Sequence, residues 1–322
     1  MKQDLSRRAF LGLGAMTAAV AGAGLAGCAP SGNGEKAADE AAGAAGNAGG
    51  DVMAFELSFL TAPAAPSEIK EEKDCDVVVV GYGLAGSAAA KAAAEEGAKV
   101  IVVEKQAEEN YSVVSMAGDF GVVGSKIQKD LGIEWAPKED IVNELMKDMA
   151  FRPDPKFLGY WYDHSGEDFD WFIEGADYEV LPTTAANQAT DKPNYIRPKC
   201  FPALEGYDWK EEYYPYFHGT ITTNPNMQWA CQAAQDAAAA TGNVETMFST
   251  WGEQLIKDES GAIAGIYVHD ADGAYTKINC KSVVVTTGDY GNNMEMRRYY
   301  IPWADEFVSF YGNSDAAGTI CN

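Results

Sequence analysis

The chain has 322 residues, 47% of them hydrophobic and 11% aromatic, which is enough apolar side chain for a sizeable core in one large domain or two smaller ones. That composition excludes a disordered, collagen-like or small disulfide-framed protein. A formal net charge of −24, from 24 Lys+Arg against 48 Asp+Glu, with no basic stripe to interrupt it, excludes nucleic acid as a partner and membrane binding by charge alone.

Ser6-Arg7-Arg8-Ala9-Phe10-Leu11 sets an arginine pair directly before an apolar run that lasts to Gly27. The run is rich in Gly and Ala and too weakly hydrophobic for a spanning helix. The pattern is that of a twin-arginine export signal. Leu25-Ala26-Gly27-Cys28 resembles a bacterial lipobox, which implies cleavage before Cys28 and a lipid on its sulfur; the alternative is an ordinary cleavage site with an incidental cysteine. Residues 1–28 thus read as signal with lipobox and residues 29–66 as a flexible Ala/Gly-rich tether, leaving 67–322 as the folded domain. The expected location is the outer face of the cytoplasmic membrane or the periplasm, reached by the twin-arginine route and held by a lipid anchor. Five further cysteines (Cys75, Cys200, Cys231, Cys280, Cys321) form no CxxC pair and read as small buried hydrophobes rather than zinc or haem ligands. His164, His218 and His269 are not spaced as metal ligands, so no metal is expected.

From Asp76 the pattern changes. Val77–Val80 is a β-branched run, as expected of a strand buried on both faces of a parallel sheet. Gly81-Tyr82-Gly83-Leu84-Ala85-Gly86 follows at once. An Ala-rich helix is predicted from Ser87 to Glu96, closed by Gly97, and a second strand from Val100 to Val103 that ends in Glu104, about 20 residues beyond Gly83. Gly81 serves the tight turn, Gly83 lets backbone approach a pyrophosphate, and Gly86 lets the helix pack on the strand. The helix N-terminus offers N–H groups to phosphates, with Leu84 and Ala85 in the turn that leads into it among the cofactor-binding residues, and Glu104 is placed to accept hydrogen bonds from ribose hydroxyls. Strand, glycines, helix, strand and terminal acid in this order make a dinucleotide fingerprint. It serves NAD and FAD alike. A protein working outside the cytoplasm has no supply of diffusible NAD(P)H, whereas a tightly held flavin can be loaded before export, so FAD is the expected cofactor.

The next stretch, Tyr111-Ser112-Val113-Val114-Ser115-Met116-Ala117-Gly118, resembles a loop of the form GGNSxxSxGG in the flavoprotein subunits of fumarate reductase and succinate dehydrogenase, and in their soluble relatives that reduce urocanate or dehydrogenate 3-ketosteroids. Ser112, Ser115 and Gly118 fall on the serines and last glycine of that loop; Glu109 and Asn110 replace its paired glycines. Asp168–Tyr178 looks like the family's helix before a W-L-x-x-x-G turn. Gln228–Thr241 reads as a helix, Val244–Phe248 as a strand, and Leu255–Gly261 with Ile263–His269 as a hairpin, with Asp270-Ala271-Asp272-Gly273 as a second turn. Val283-Val284-Val285-Thr286-Thr287-Gly288 is similar to the family's returning strand, with Asp289 in place of a glycine, and Asn293, Glu295 and Met296 continue as its N-x-E-M.

The resemblance covers residues 74–322 and implies an α/β fold: a Rossmann-like FAD-binding domain with a GR2-type parallel sheet, an added β-meander or hairpin, and a capping domain largely missing. It places Lys105, Ala117, Gly252, Thr287 and Gly288 with the fingerprint residues around the flavin. The implied reaction is hydride transfer between flavin N5 and an activated C=C bond of a small unsaturated acid or enone, with a protein acid handling the second proton and a separate electron-donor protein as a further partner. The family's catalytic arginine lies beyond the segment matched by Asn313–Ala316. No residue here matches it, so no catalytic residue is assigned, and the chain by itself is expected to show no C=C reductase activity. Arg297 and Arg298 read as surface residues. His218 reads either as a contact near the flavin ring or as a satisfied histidine, and the aromatic stretch Trp209–Phe217 as core, an interface or a substrate entrance. Two rival readings are a catalytically incomplete FAD-binding fragment and a lipid-anchored small-ligand binding protein.

Overall fold

A computed structural model describes residues 58–61, 63–111, 113, 118–133, 135–181, 192–199, 220–290 and 293–303. Four strands form a wholly parallel sheet in the order β12 (Ser282–Val285), β2 (Val77–Val80), β3 (Val100–Val103), β8 (Val244–Met247). The inner strands β2 and β3 read VVVV and VIVV because both of their faces are covered, which demands an apolar residue at every position rather than every second one. Val79, Val100 and Val102 face a helical layer with Ala90 and Ala94 of α1 (Leu84–Glu95) and Ala230, Ala234 and Ala238 of α5 (Gln228–Ala240). Their small side chains let the helices lie close to the sheet. Val78, Val80, Ile101 and Val103 face the other way, against Ile266, Val268 and Ile278 of a second sheet. Each fully buried Val or Ile contributes about 1.5–3 kcal/mol relative to exposure.

That second sheet runs β1 (Glu71–Asp74), β11 (Tyr275–Asn279), β10 (Ile263–Asp270), β9 (Thr250–Lys257). β9, β10 and β11 form the antiparallel meander that the sequence predicts, and β1 joins β11 in parallel. The two connecting turns use one device twice. Asp258 Oδ1 accepts from the N–H groups of Ser260 (2.8 Å) and Ala262 (3.0 Å), and Asp270 Oδ1 from those of Asp272 (3.0 Å) and Ala274 (2.9 Å). Strand β9 begins at Thr250, five residues ahead of the predicted Leu255, and so takes in Gly252.

A third sheet, β4 (Asp119–Gly121), β7 (Thr220–Asn224), β6 (Tyr195–Lys199), β5 (Glu179–Val180), lies with helices α2 (Lys126–Asp130), α3 (Lys138–Asp148) and α4 (Pro155–Phe172). Helix α2 starts in a capping box in which Ser125 and Gln128 satisfy each other's backbone N–H groups. Helix α4 starts at Asp154, whose Oδ1 accepts from Lys156 N (2.9 Å), with Pro155 at its first position. His164 therefore lies in mid-helix, its ring tilted against that of Tyr160 one turn earlier (4.2 Å). Helix α4 stops at Phe172 ahead of Gly175, as the Asp168–Tyr178 pattern implies. Asn293 caps the short α6 (Met294–Tyr300) by accepting from Met296 N (3.0 Å). Phe59, inside the stretch read as a tether, is buried with its ring against Tyr299 (5.6 Å) and Tyr300 (5.8 Å).

Candidate functional site

The site is built where β2 turns into α1. Gly81 has φ +95°, and its N–H donates to Val103 O (2.7 Å). A β-carbon there would lie 2.5 Å from Thr286 O, and one at Gly86 would lie 1.9 Å from Gly81 O, so strand, turn and helix meet backbone on backbone. Gly83 is the N-cap of α1 and no side chain caps that end. The first-turn N–H groups, at half-buried Leu84, exposed Ala85 and buried Gly86, are left with the positive end of the helix dipole, the arrangement that suits a pyrophosphate.

Glu104, at the end of β3, is 4% exposed. Its Oε2 accepts from Tyr82 N (2.8 Å) and its Oε1 from Gln106 N (2.9 Å). The carboxylate the sequence assigns to ribose therefore also staples the glycine turn to the neighbouring strand, and each oxygen keeps a lone pair for a ribose hydroxyl. Thr250 N donates to Glu104 O (2.9 Å), which seats the start of β9 beside it. Lys105 follows, half-buried, and Gly252 sits within β9 opposite Val268.

Thr286 closes the turn from the far side. Its N–H donates to Val80 O (2.9 Å) and its hydroxyl lies 2.8 Å from the carbonyl oxygens of both Val80 and Gly81. Thr287 and Gly288, which the sequence assigns to the flavin, come next, half-buried and exposed. Gly118 lies against β7: its carbonyl accepts from Thr223 N (2.7 Å) and the Thr223 hydroxyl (3.1 Å), and a β-carbon would fall 1.8 Å from Thr223 O. Ser112, Ser115, Ala117, His218, the Trp209–Phe217 stretch, Asn313–Ala316 and Cys28 lie outside the described residues.

An aromatic and polar cluster behind the turn escapes the sequence reading. Tyr82 and Tyr111 stack (6.1 Å, 21°) and Phe248 meets Tyr111 edge-on (5.3 Å). Burial pushes the Tyr82 phenol up to about 12. Gln235 is buried among Ala230, Cys231, Ala234 and Ala238 on α5, where its amide joins Tyr111 to Ser87. Two signals in the sequence mark this cluster: a Tyr at the second position of the glycine turn, and a lone Gln on the small-residue stripe of a helix. Burial also pushes the Cys75 and Cys231 thiols up to about 12. Among the described residues no three of His, Cys, Asp and Glu converge on one point that a metal ion could share.

An uncapped helix start on a glycine turn, with a buried acid at the next strand end, defines a dinucleotide-binding domain. The chain belongs to the FAD binding domain family, whose model matches residues 76–318, and FAD is its cofactor. It is 28% identical over 249 residues to a protein of Shewanella frigidimarina named "Probable fumarate reductase", covering 76% of this chain and 37% of that protein. It is also 28% identical over 270 residues to a urocanate reductase of Eggerthella lenta (80% and 38%). The open conformation of a flavocytochrome c3 fumarate reductase matches with a TM-score of 0.56 at 25% identity, over 74% of this chain and 38% of that one. A 3-ketosteroid-Δ4-(5α)-dehydrogenase of Rhodococcus jostii shares the fold (TM-score 0.57, 20% identity, 75% and 51%). The chain thus spans well under half the length of these curated relatives.

Proposed function

We propose that the protein is an exported FAD-dependent oxidoreductase that reduces or dehydrogenates an activated C=C bond in a small unsaturated acid or enone. The observation that carries this reading is the turn at residues 81–86, in which uncapped first-turn N–H groups and the buried Glu104 carboxylate form the pyrophosphate and ribose ends of a dinucleotide cradle. The names of the relatives, which include fumarate and urocanate reductases, supply the bond type. When bound, FAD supplies a hydride donor and acceptor at N5. This chain's part is to hold the adenosine end: Leu84, Ala85 and Gly86 face the phosphates, Glu104 the ribose, and Thr286 keeps the turn from opening. The proton that completes reduction of a C=C bond comes, in this reading, from a capping unit that closes over the flavin, and electrons arrive from a separate donor protein. Twin-arginine export and a lipid on Cys28 place the enzyme outside the cytoplasm.

Purified from cytoplasm, the full chain is expected to be yellow and to release FAD on denaturation, identified by chromatography. Reoxidation of the reduced protein by a panel of unsaturated acids and enones under anaerobic conditions tests the bond type. A colourless, folded protein that takes up no added FAD refutes the cofactor role. A flavin that no C=C compound reoxidises, with or without a capping unit supplied in trans, refutes the reaction.

A further inference from the structure

The dinucleotide turn is tied to Tyr111 by a buried relay of hydrogen bonds. The Tyr111 hydroxyl donates to Gln235 Oε1 (2.6 Å), Gln235 Nε2 donates to Ser87 Oγ (2.9 Å), and Ser87 Oγ donates to Gly83 O (2.9 Å). The directions follow from one another. The Gly83 carbonyl can only accept, so Ser87 must spend its one proton there and accept from Gln235, which turns the amide oxygen toward Tyr111. Tyr111 and Gln235 are each 5% exposed and Ser87 is fully buried, so no water competes for these groups. A second, longer contact runs from Gln235 Nε2 to Tyr82 O (3.4 Å).

The far end of the relay is the glycine turn. The Gly83 carbonyl also accepts from Ser87 N (2.9 Å), so Ser87 grips it with both backbone and side chain. A trans peptide is planar, with its C=O and N–H antiparallel; fixing the Gly83 carbonyl therefore fixes the Leu84 N–H on the opposite side, where the pyrophosphate binds. We propose that Gln235 is a positioning residue for FAD, holding the Gly83–Leu84 peptide through Ser87 in the orientation that presents the Leu84 N–H to the pyrophosphate, with Tyr111 fixing the glutamine amide. This rests on the assignment of FAD to the fingerprint turn.

The test uses the full chain with Gln235→Leu, Tyr111→Phe, the double variant, and Ile141→Val as a control in the separate cluster of α3 and α4. Without flavin, hydrogen exchange over residues 81–87 is expected to quicken in both single variants and not in Ile141→Val. Affinity for FAD, and for ADP as a probe of the adenosine-pyrophosphate end alone, is expected to fall about five- to tenfold in each single variant, the loss associated with stranding one buried partner. The double variant should bind no more weakly than the worse single one, because both break the same relay. A merely structural glutamine would lower the melting temperature while leaving the ADP affinity of the folded protein unchanged. Unchanged exchange and ADP affinity in Tyr111→Phe, or additive losses in the double variant, overturns the proposal. Should wild type bind neither FAD nor ADP, the cofactor assignment fails, and the exchange measurement alone decides whether the relay exists.

Discussion

Replacing Gly86 by Ala adds one methyl group where α1 crosses the end of β2. That carbon would stand 1.9 Å from Gly81 O and 3.0 Å from Thr286 Oγ1, whereas contacts below 3.0 Å are essentially never seen for a real β-carbon. The helix must therefore withdraw by about 1 Å, because the oxygen it meets belongs to a turn pinned by Val103 and Thr286. Withdrawal loosens Ala90 and Ala94 from Val79 and Val102, so the cost exceeds that of a side-chain clash: about 3 kcal/mol or more, the upper end for overpacking. Gly97 provides the contrast. It has φ +85° but nothing within 4 Å of its added carbon, so Gly97→Ala costs only the left-handed strain of about 1–2 kcal/mol. Urea unfolding followed by tryptophan fluorescence should rank the variants in that order with equal m-values, and FAD binding should be lost in Gly86→Ala and kept in Gly97→Ala. Equal destabilisation, or unchanged FAD affinity in Gly86→Ala, would show that the helix does not rest on the turn as described.

Lys91 is 1% exposed, with its ammonium donating to Trp171 O, 3.8 Å from Glu95 and 4.6 Å from the centre of the Trp171 ring. Lys91→Ala should lose about 2–4 kcal/mol in urea unfolding, and Lys91→Met less because the stem still fills the space. Asp76, Asp258 and Asp270 have carboxyls held below the ordinary range, by Lys281, by the Ser260 hydroxyl and by the Ala274 N–H respectively. A folded value below the unfolded one means stability that is present above the unfolded carboxylate range, about pH 4, and lost as pH falls through the folded values. Asp76→Asn should therefore flatten the fall of the urea midpoint below about pH 4; an unchanged slope counts against the Lys281 pairing. With thiols pushed up to about 12, Cys75 and Cys231 should alkylate slowly at about pH 8 in the native protein and rapidly in urea, read by peptide mapping. Fast native labelling of Cys231 contradicts its burial.

Where a residue's neighbours lie close in sequence, its place in the fold is legible. The run Val77–Val80, the glycine turn, the second strand and Glu104 all fall where the sequence puts them, because a doubly covered parallel strand and a backbone-to-backbone turn each allow few residue types. The helix start moves from Ser87 to Leu84 because the glycines themselves enter the first turn. Long-range partners were less visible. Nothing local marks Thr286 as the residue whose hydroxyl reaches across to the glycine turn. Strand β1, EEKD, has no apolar alternation, since its place in the sheet comes from pairing with β11. The start of α4 is readable from Asp154-Pro155, a cap followed by a residue preset for the first helical turn.

The position of β12 beside β2 has a consequence in time. Thr286 Oγ1 and Val80 O are 206 residues apart in the chain. At a synthesis rate of about 5–20 residues per second, roughly 10–40 s pass between the emergence of the glycine turn and the arrival of the strand that locks it. Throughout that interval Val77–Val80 presents an unpaired, uncharged β-branched edge, the kind of segment that recruits other chains. Slower growth at low temperature or a holding chaperone should therefore raise the soluble yield, since the nucleotide turn is made early and finished late.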